Sequence, residues 1–356
     1  MPIHIASTHS LEMVKIVATS SELASVCNKA GDTPLHIACR CEQIDIAKYL
    51  TDKMKTSTDV PNLRKEYVIH TVCQLDKQSI QLFDLVIKHT SHEVLSKKDI
   101  DGNTPLHLAC MRGHFTQVLR LAQTHPSLIG IQNNYGEIPL HIACRLSKKF
   151  NYKFPMDSLT NCDPKSQINA SIPKEFGSKP GDTPLHIACR TGKIKVIKYL
   201  IPSVTHNEAA AVSNHCLELP FHECCRNSKN LVEMILDVYP IDYNTQNING
   251  DTGLHVATCI DQREIVEYLL EEIKCDPNIQ NNEKDLPLHI ACRKSNLKTV
   301  QLIGDKTRWY LVNRRNKLGN TPLHEAAKCE KKADYCLLYT SPSPRDATLS
   351  RMPSSA

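Results

Sequence analysis

The chain has 356 residues, of which 41% are hydrophobic and 23% are charged, and its formal net charge is +5. This composition is typical of a soluble globular protein and excludes a wholly disordered chain, because disorder combines low hydrophobicity with high net charge. The 43 basic residues nearly balance the 38 acidic ones, so charge alone indicates neither a nucleic-acid nor a membrane partner. The sequence contains no apolar run long enough to predict a transmembrane helix.

The amino terminus and the cysteine content predict a cellular compartment. The first residues, Met1-Pro2-Ile3-His4, lack the basic segment and the apolar run of a signal peptide. We therefore expect a cytoplasmic protein whose 16 cysteines are free thiols, because the cytosol is reducing.

One ten-residue string, Gly-Asp-Thr-Pro-Leu-His-Ile-Ala-Cys-Arg, occurs twice without change, at residues 31–40 and 181–190. Weaker copies precede, separate and follow these two. Aligned on the motif histidine, the copies place it at His4, His36, His70, His107, His141, His186, His222, His255, His289 and His324. Nine intervals of 32 to 45 residues separate these histidines, so an internal repeat organises nearly the whole chain.

Each copy predicts a pair of short helices. Thr33 suits a helix N-cap, and Pro34 suits the first helical position, where a missing N–H costs nothing. Leu35 and Cys39 then lie on one apolar face, and residues 44–50 have the pattern of a second amphipathic helix. Two short helices cannot bury their apolar faces alone, so we expect the units to stack.

The motif Thr-Pro-Leu-His-x-Ala resembles the ankyrin-repeat family. It stands intact at residues 33–38, 104–109 and 183–188, with variants at 138–143, 252–257, 286–291 and 321–326 and degenerate copies at 67–72 and 219–224. The resemblance covers the chain to about residue 335 and implies an all-α solenoid of helix-turn-helix units with β-hairpin loops. It also implies a concave protein-binding face and a structural motif histidine that ties the hairpin to the helix.

The ends of the array depart from the repeat. Met1 stands where the first motif should have threonine, so the first of about ten repeats in residues 1–335 is incomplete, as is the last. Residues 336–346 resemble a translated transposase adapter used in sequencing libraries. We interpret residues 336–356 as a non-native or disordered tail and expect a longer natural chain; a genuine Ser/Pro-rich tail is the alternative.

The histidines and cysteines do not predict a catalytic or metal site. Seven cysteines follow the motif histidine by three positions: Cys39, Cys73, Cys110, Cys144, Cys189, Cys225 and Cys292. We interpret them as small packing residues, since successive repeats lie ~10 Å apart, too far for a disulfide. One repeat supplies only two metal ligands, whereas a structural zinc needs four, so we expect no cofactor. His222-Glu223 and His324-Glu325 begin like H-E-x-x-H, but the second histidine is missing.

Two rows of charge are the most informative surface feature. Acids precede the motif threonine position at Asp32, Glu66, Glu137, Asp182, Glu218, Asp251 and Asp285, and bases follow the motif histidine by four at Arg40, Arg145, Arg190, Arg226, Arg293 and Lys328. The rows either neutralise each other or also steer a polar partner, and both interpretations stay open. The resemblance places both rows on the concave groove. We therefore predict partner contacts at Asp32, Arg40, Asp182, Arg190, Arg226, Asp251, Arg145 and Arg293, with Tyr135, Met111 and Arg112 as further candidates.

The 45-residue interval between His141 and His186 contains about ten extra residues, around 165–180. Their composition is loop-like, and Pro155 interrupts the preceding helix pattern. This insertion is either a specificity finger or a tolerated surface loop.

Together these features predict a non-enzymatic scaffold or adaptor that binds protein partners, without nucleic acid or membrane insertion. The alternative is the targeting arm of a larger signalling protein or enzyme whose catalytic or death-type domain lies outside this sequence.

Overall fold

A computed structural model of the chain describes residues 2–18, 20–77, 79–146, 181–200, 212–238, 241–294 and 296–328. The insertion at 165–180, Pro155 and the tail at 336–356 lie outside the described residues. The chain divides into two compact units, residues 1–187 with 195–204 and residues 188–194 with 205–356.

The described residues form helices and turns without a strand, as expected for an all-α solenoid. The helices before residue 150 are α1 Pro2–His9, α2 Leu11–Val17, α3 Ser21–Ala24, α4 Pro34–Arg40, α5 Ile44–Lys48, α6 Val68–Gln74, α7 Ile80–His89, α8 His92–Leu95, α9 Pro105–Arg112, α10 Phe115–Thr124 and α11 Pro139–Leu146. A π-helical turn, Tyr49–Lys53, continues α5, and a 3₁₀ turn, Pro126–Leu128, follows α10. The later helices are α12 Pro184–Thr191, α13 Ile194–Leu200, α14 Pro220–Cys225, α15 Lys229–Val238, α16 Gly253–Cys259, α17 Arg263–Glu271, α18 Pro287–Lys294, α19 Leu297–Lys306 and α20 Pro322–Ala327.

The helices pair and then stack, as the repeat predicts. In the first unit α4 packs against its own partner α5, and the first helices α1, α4, α6, α9 and α11 contact one another in sequence. In the second unit α14, α16, α18 and α20 stack in the same way, and α15, α17 and α19 form the parallel row of second helices. The apolar faces of neighbouring repeats therefore cover one another; Leu35, Ala38 and Cys39 are fully buried.

The motif histidine joins one repeat to the next. In His36, the ring Nδ1 accepts hydrogen bonds from the Thr33 backbone N–H (3.2 Å) and from the Thr33 hydroxyl (2.8 Å). The His36 backbone N–H donates to Thr33 Oγ1, and these bonds together form a capping box. Because Nδ1 accepts, the ring proton lies on Nε2, which donates to the carbonyl of Glu66 in the following repeat at 3.1 Å. His70, His107, His141, His222, His255 and His289 make the equivalent bonds to carbonyls 23 to 41 residues downstream.

A tight turn takes the place of the hairpin loop between repeats. The Asn62 N–H donates to the Glu66 carbonyl at 2.9 Å, and the Asn62 side-chain oxygen accepts from the backbone N–H groups of Arg64 and Glu66. Asparagine or aspartate occupies the same position at Asn28, Asp99, Asn133, Asn214, Asn247, Asn281 and Asn316, each closing a turn of the same length. The turn bonds stay within five residues, which is too short for a strand ladder.

We predict that the motif histidines make the stack sensitive to mild acid. Burial lowers the pKa of His70 and of His107 to about 4, so both rings are neutral in the folded chain. Between pH ~6.5 and pH ~4 the unfolded chain binds these protons and the folded chain does not, so the free energy of unfolding falls as pH decreases. Urea unfolding at several pH values across this range should show the decrease in wild type.

The variant His107→Gln should show a smaller decrease with pH, because it removes one of the buried rings, together with lower stability at neutral pH. The control is His9→Gln, which replaces an exposed histidine that bonds only within its own helix and its neighbouring threonine. If the free energy of unfolding depends on pH equally in His107→Gln and in wild type, the buried His107 ring is not a source of the acid sensitivity.

Candidate functional site

The two rows of charge are hydrogen-bonded to each other. Arg40, the last residue of α4, donates from both terminal nitrogens to the two carboxylate oxygens of Asp32, at 2.9 and 3.1 Å. Asp32 is only 3% exposed, whereas the Arg40 side chain is 46% exposed. The acid is therefore a buried anchor, and the arginine is the member of the pair that reaches the surface.

The anchor acids also connect neighbouring repeats. The Asn62 side-chain amide donates to Asp32 of the preceding repeat and to Glu66 of its own repeat, at 2.9 Å each. Asn316 bridges Asp285 and Glu325, and Asn281 donates to Asp251 at 2.8 Å. Turn asparagines thus position Asp32 and Asp285, and each of these two acids positions an arginine.

Hydrogen bonding keeps the first anchor ionised. Burial opposes the charge on Asp32, but the bonds from Arg40 and Asn62 outweigh it, so the pKa of Asp32 lies below its ordinary value. The bond to Asp32 in turn raises the pKa of Arg40. The pair is therefore a fixed ion pair at neutral pH.

Three of the other predicted arginines pair, like Arg40, with the acid eight residues earlier, and Arg190 pairs with an acid of the following repeat. Arg145 bonds to Glu137, Arg226 to Glu218, and Arg293 to Asp285 at 2.9 Å. Arg190 donates to Glu223 from Nε and Nη2, at 3.0 and 2.7 Å. Four of the five arginines thus pair with an acid of the other row, as the first interpretation expects, and steering of a polar partner stays a prediction.

Of the remaining predicted acids, Asp182 is buried and Asp251 is partly buried. Because Asp32 and Asp182 are nearly inaccessible, a partner would meet arginines rather than these carboxylates. Direct contact of a partner with Asp32 and Asp182 stays a prediction, and their burial does not favour it.

Two further acids, which have no role in the sequence-based prediction, belong to this network. Glu223 is fully buried, and its carboxylate lies between Arg190 of the preceding repeat and Arg226 of its own. Glu325 accepts from Arg293 of the preceding repeat at 3.1 Å. Both occupy the position after the motif histidine, where the two identical motif copies have isoleucine. A charged residue at this otherwise apolar position was the sequence signal that could have identified Glu223 and Glu325 as members of the network.

Three residues without charge, Gln74, Met111 and Cys259, interrupt the arginine row. Met111 occupies the arginine position of α9 and is half-buried, and Cys259 occupies it in α16 and is exposed. Arg112 lies one residue further on and pairs with Asp76 at 2.7 Å, while Tyr135 lies on a turn and is 51% exposed. Arg112 and Tyr135 thus lie beside the row rather than in it.

The motif histidines and the motif cysteines lie in surroundings that indicate a structural role. Among the described residues no three His, Cys, Asp or Glu side chains converge as metal ligands would. The seven motif cysteines are fully buried, and burial raises the pKa of Cys39 and of Cys73 above the ordinary range. These thiols pack between helices and are poor nucleophiles.

The comparisons with known proteins agree with this architecture. A family model described as ankyrin repeats in three copies matches residues 1–62, 69–154, 158–247, 221–308 and 254–344. The chain therefore belongs to the ankyrin-repeat family, whose fold generally serves protein–protein interaction rather than catalysis. None of the described helices has the length and apolar character that crossing a membrane requires.

Two curated relatives match parts of the chain. The target of rapamycin complex 2 subunit AVO2 of Saccharomyces cerevisiae is 33% identical over 76 residues, which is 21% of this chain and 17% of that protein. Neurogenic locus notch homolog protein 1 of Xenopus tropicalis is 25% identical over 131 residues, 37% of this chain and 5% of that protein. The chain thus spans less than a fifth of either relative.

We predict that Glu325→Gln weakens the fold at neutral pH but not in strong acid. Burial opposes ionisation of Glu325, but hydrogen bonds from Arg293, Asn320 and Asn316 lower its pKa to about 2. Its contribution to stability is present above the unfolded pKa of ~4.3 and is lost as pH falls through the folded value. Urea unfolding should therefore separate wild type and variant near pH ~6 and bring them together near pH ~2.

The matched control is Glu267→Gln, which removes an exposed carboxylate from α17. If Glu325→Gln and this control have the same free energy of unfolding at every pH, the network does not hold Glu325 ionised.

Proposed function

We propose that this chain is a scaffold or adaptor segment that binds protein partners through its arginine row, which comprises Arg40 and Arg145 in the first unit and Arg190, Arg226 and Arg293 in the second. Membership of an interaction family supports the general role. The observation that carries the specific proposal is that a buried acid fixes each of these partly exposed guanidinium groups.

Fixed guanidinium groups suit recognition for an entropic reason. A free arginine loses much rotamer freedom when a partner immobilises it, and this cost reduces affinity. Here the stack and the anchor acids have already ordered the side chain, while part of its surface stays exposed. Arginine is enriched among the residues that dominate binding energy, because its guanidinium group combines several hydrogen-bond donors with a flat stacking surface.

The anchors also determine which partner suits the row. Because each arginine is neutralised by an acid, the row offers oriented hydrogen-bond donors rather than a strong positive field. We therefore expect partner groups such as backbone carbonyls, carboxylates and aromatic rings, with modest dependence on salt. A nucleic-acid backbone is disfavoured, since its affinity depends on unneutralised cations.

A second candidate function is the targeting arm of a larger signalling protein or enzyme. The two relatives favour it, because this chain matches only a small part of each, and one of them is named as a subunit of a complex. In that case the arginine row selects the partner, and a domain elsewhere in the natural protein acts on it. A cytoplasmic location remains a prediction under either function.

We predict that the double variant Arg190→Lys, Arg226→Lys loses partner binding while it keeps the fold. Lysine retains the charge facing Glu223 and Glu218 but lacks the planar fork, so contacts that need paired donors fail. Affinity capture from a cell lysate, quantified by mass spectrometry, should show that proteins retained by wild type fall by about tenfold or more, with an unchanged helical circular dichroism signal.

The matched control is Arg120→Lys, Arg263→Lys, which places the same change on exposed arginines of the second helices α10 and α17. Equal loss in this control, or full retention in the Arg190, Arg226 variant, would argue against the arginine row as the binding surface.

A further inference from the structure

The turns of the first unit form a continuous row. Within it, residues 28–31, 62–65, 99–102 and 133–136 are successive turns, and a backbone hydrogen bond joins each to the next. The Leu63 N–H donates to the Ala30 carbonyl (3.0 Å), the Ile100 N–H to the Arg64 carbonyl (2.9 Å), and the Asn134 N–H to the Asp101 carbonyl (3.1 Å). The turn tips therefore form one connected edge rather than separate flexible loops.

Three consecutive tips of this edge expose large apolar side chains. Leu63 is 73% exposed, Ile100 is 53% exposed and Tyr135 is 51% exposed. We name these three residues the tip ridge. A single exposed apolar residue is ordinary on a protein surface, but neighbouring ones on a fixed edge are characteristic of an interaction site.

The spacing of the edge specifies the shape of a ligand. The two central residues of a turn are ~3.8 Å apart, and a backbone hydrogen bond separates neighbouring chains by ~5 Å, so equivalent tip positions repeat about every 9 Å. A polyproline II chain rises ~3.1 Å per residue with three residues per turn and presents the same face about every 9 Å. Leu63 and Ile100 hold equivalent positions, and Tyr135 lies one residue further along its turn.

The positive charges beside the tip ridge predict acidic residues at one end of the ligand. Lys29 and Lys65 are exposed and form no ion pair with any described residue, whereas Arg64 already faces Glu66 at 3.6 Å and Asp101 at 3.9 Å. Two unneutralised cations thus lie on the first two of the four turns, Lys29 on the turn 28–31 and Lys65 on the turn 62–65.

We propose that the tip ridge binds an extended, polyproline II-like peptide of a partner protein, with an apolar side chain at every third position and acidic residues over Lys29 and Lys65. The turn backbone is already ordered, and a polyproline II ligand loses little entropy on binding. This surface lies on the turns, so it is independent of the arginine row proposed above, and either can fail without the other.

The test uses two fluorescent synthetic peptides of about ten residues, with leucine at every third position between proline and serine and a glutamate pair at the amino or the carboxyl end. At least one should bind the full chain saturably in fluorescence anisotropy. A peptide of identical composition with its leucines at consecutive positions should bind about tenfold more weakly or not at all.

Variants of the chain locate the binding. Leu63→Glu and Ile100→Glu should each weaken it by about tenfold or more, while Ile80→Glu, an equally drastic change at an exposed position of α7, should leave it unchanged. Lys65→Asn should weaken it at low salt, whereas Lys284→Asn should not. Both lysines have a φ of 57°, which asparagine tolerates, so the pair differs in location and not in backbone strain.

Three results would overturn the proposal. These are no saturable binding of either peptide to wild type, equal binding of the peptide with consecutive leucines, and undiminished binding by Leu63→Glu and Ile100→Glu. Self-association of the chain that is lost in Leu63→Glu, measured by sedimentation velocity without peptide, would instead assign the ridge to a second copy.

Discussion

The structure depends on a buried, neutral imidazole that bonds in two directions. Nδ1 of His107 accepts from its own helix cap at Thr104, and Nε2 donates to the Glu137 carbonyl of the next repeat at 2.9 Å. A protonated ring would lose the first bond, and an absent neighbour would remove the second. Each repeat is therefore complete only when the next one is in place, which is the physical basis of stacking.

The candidate binding surface follows from the same constraint. For example, the turn that supplies the Glu66 carbonyl to His36 also supplies Asn62, whose amide holds Asp32 and Glu66, and Asp32 in turn holds Arg40. Side chains that a partner would meet, such as Arg40, are thus ordered by groups that it would never touch, such as Asn62 and Asp32. This rigidity lowers the entropic cost of binding and suits recognition rather than catalysis.

Local chemistry made most of the fold predictable. The Thr33 cap, the Pro34 start and the buried Cys39 followed from the motif, because capping and periodicity act over a few residues. Contacts between repeats were harder to predict from the sequence, since they join residues about 30 positions apart. Glu223 and Glu325 resembled a broken zinc motif and are instead ion-pair partners of the preceding repeat. Gly253 stands where most copies have proline, because a Cβ there would lie 2.4 Å from the Phe221 ring.

The state of the His107 ring tests the central claim most directly. Long-range proton–nitrogen correlation spectra, recorded across the range from neutral pH to pH ~4, report both the tautomer and the protonation of each imidazole. The structure predicts that His107 carries its proton on Nε2 and stays neutral until its pKa of about 4. A proton on Nδ1, or titration near the ordinary value of ~6.5, would show that the imidazole does not join the repeats.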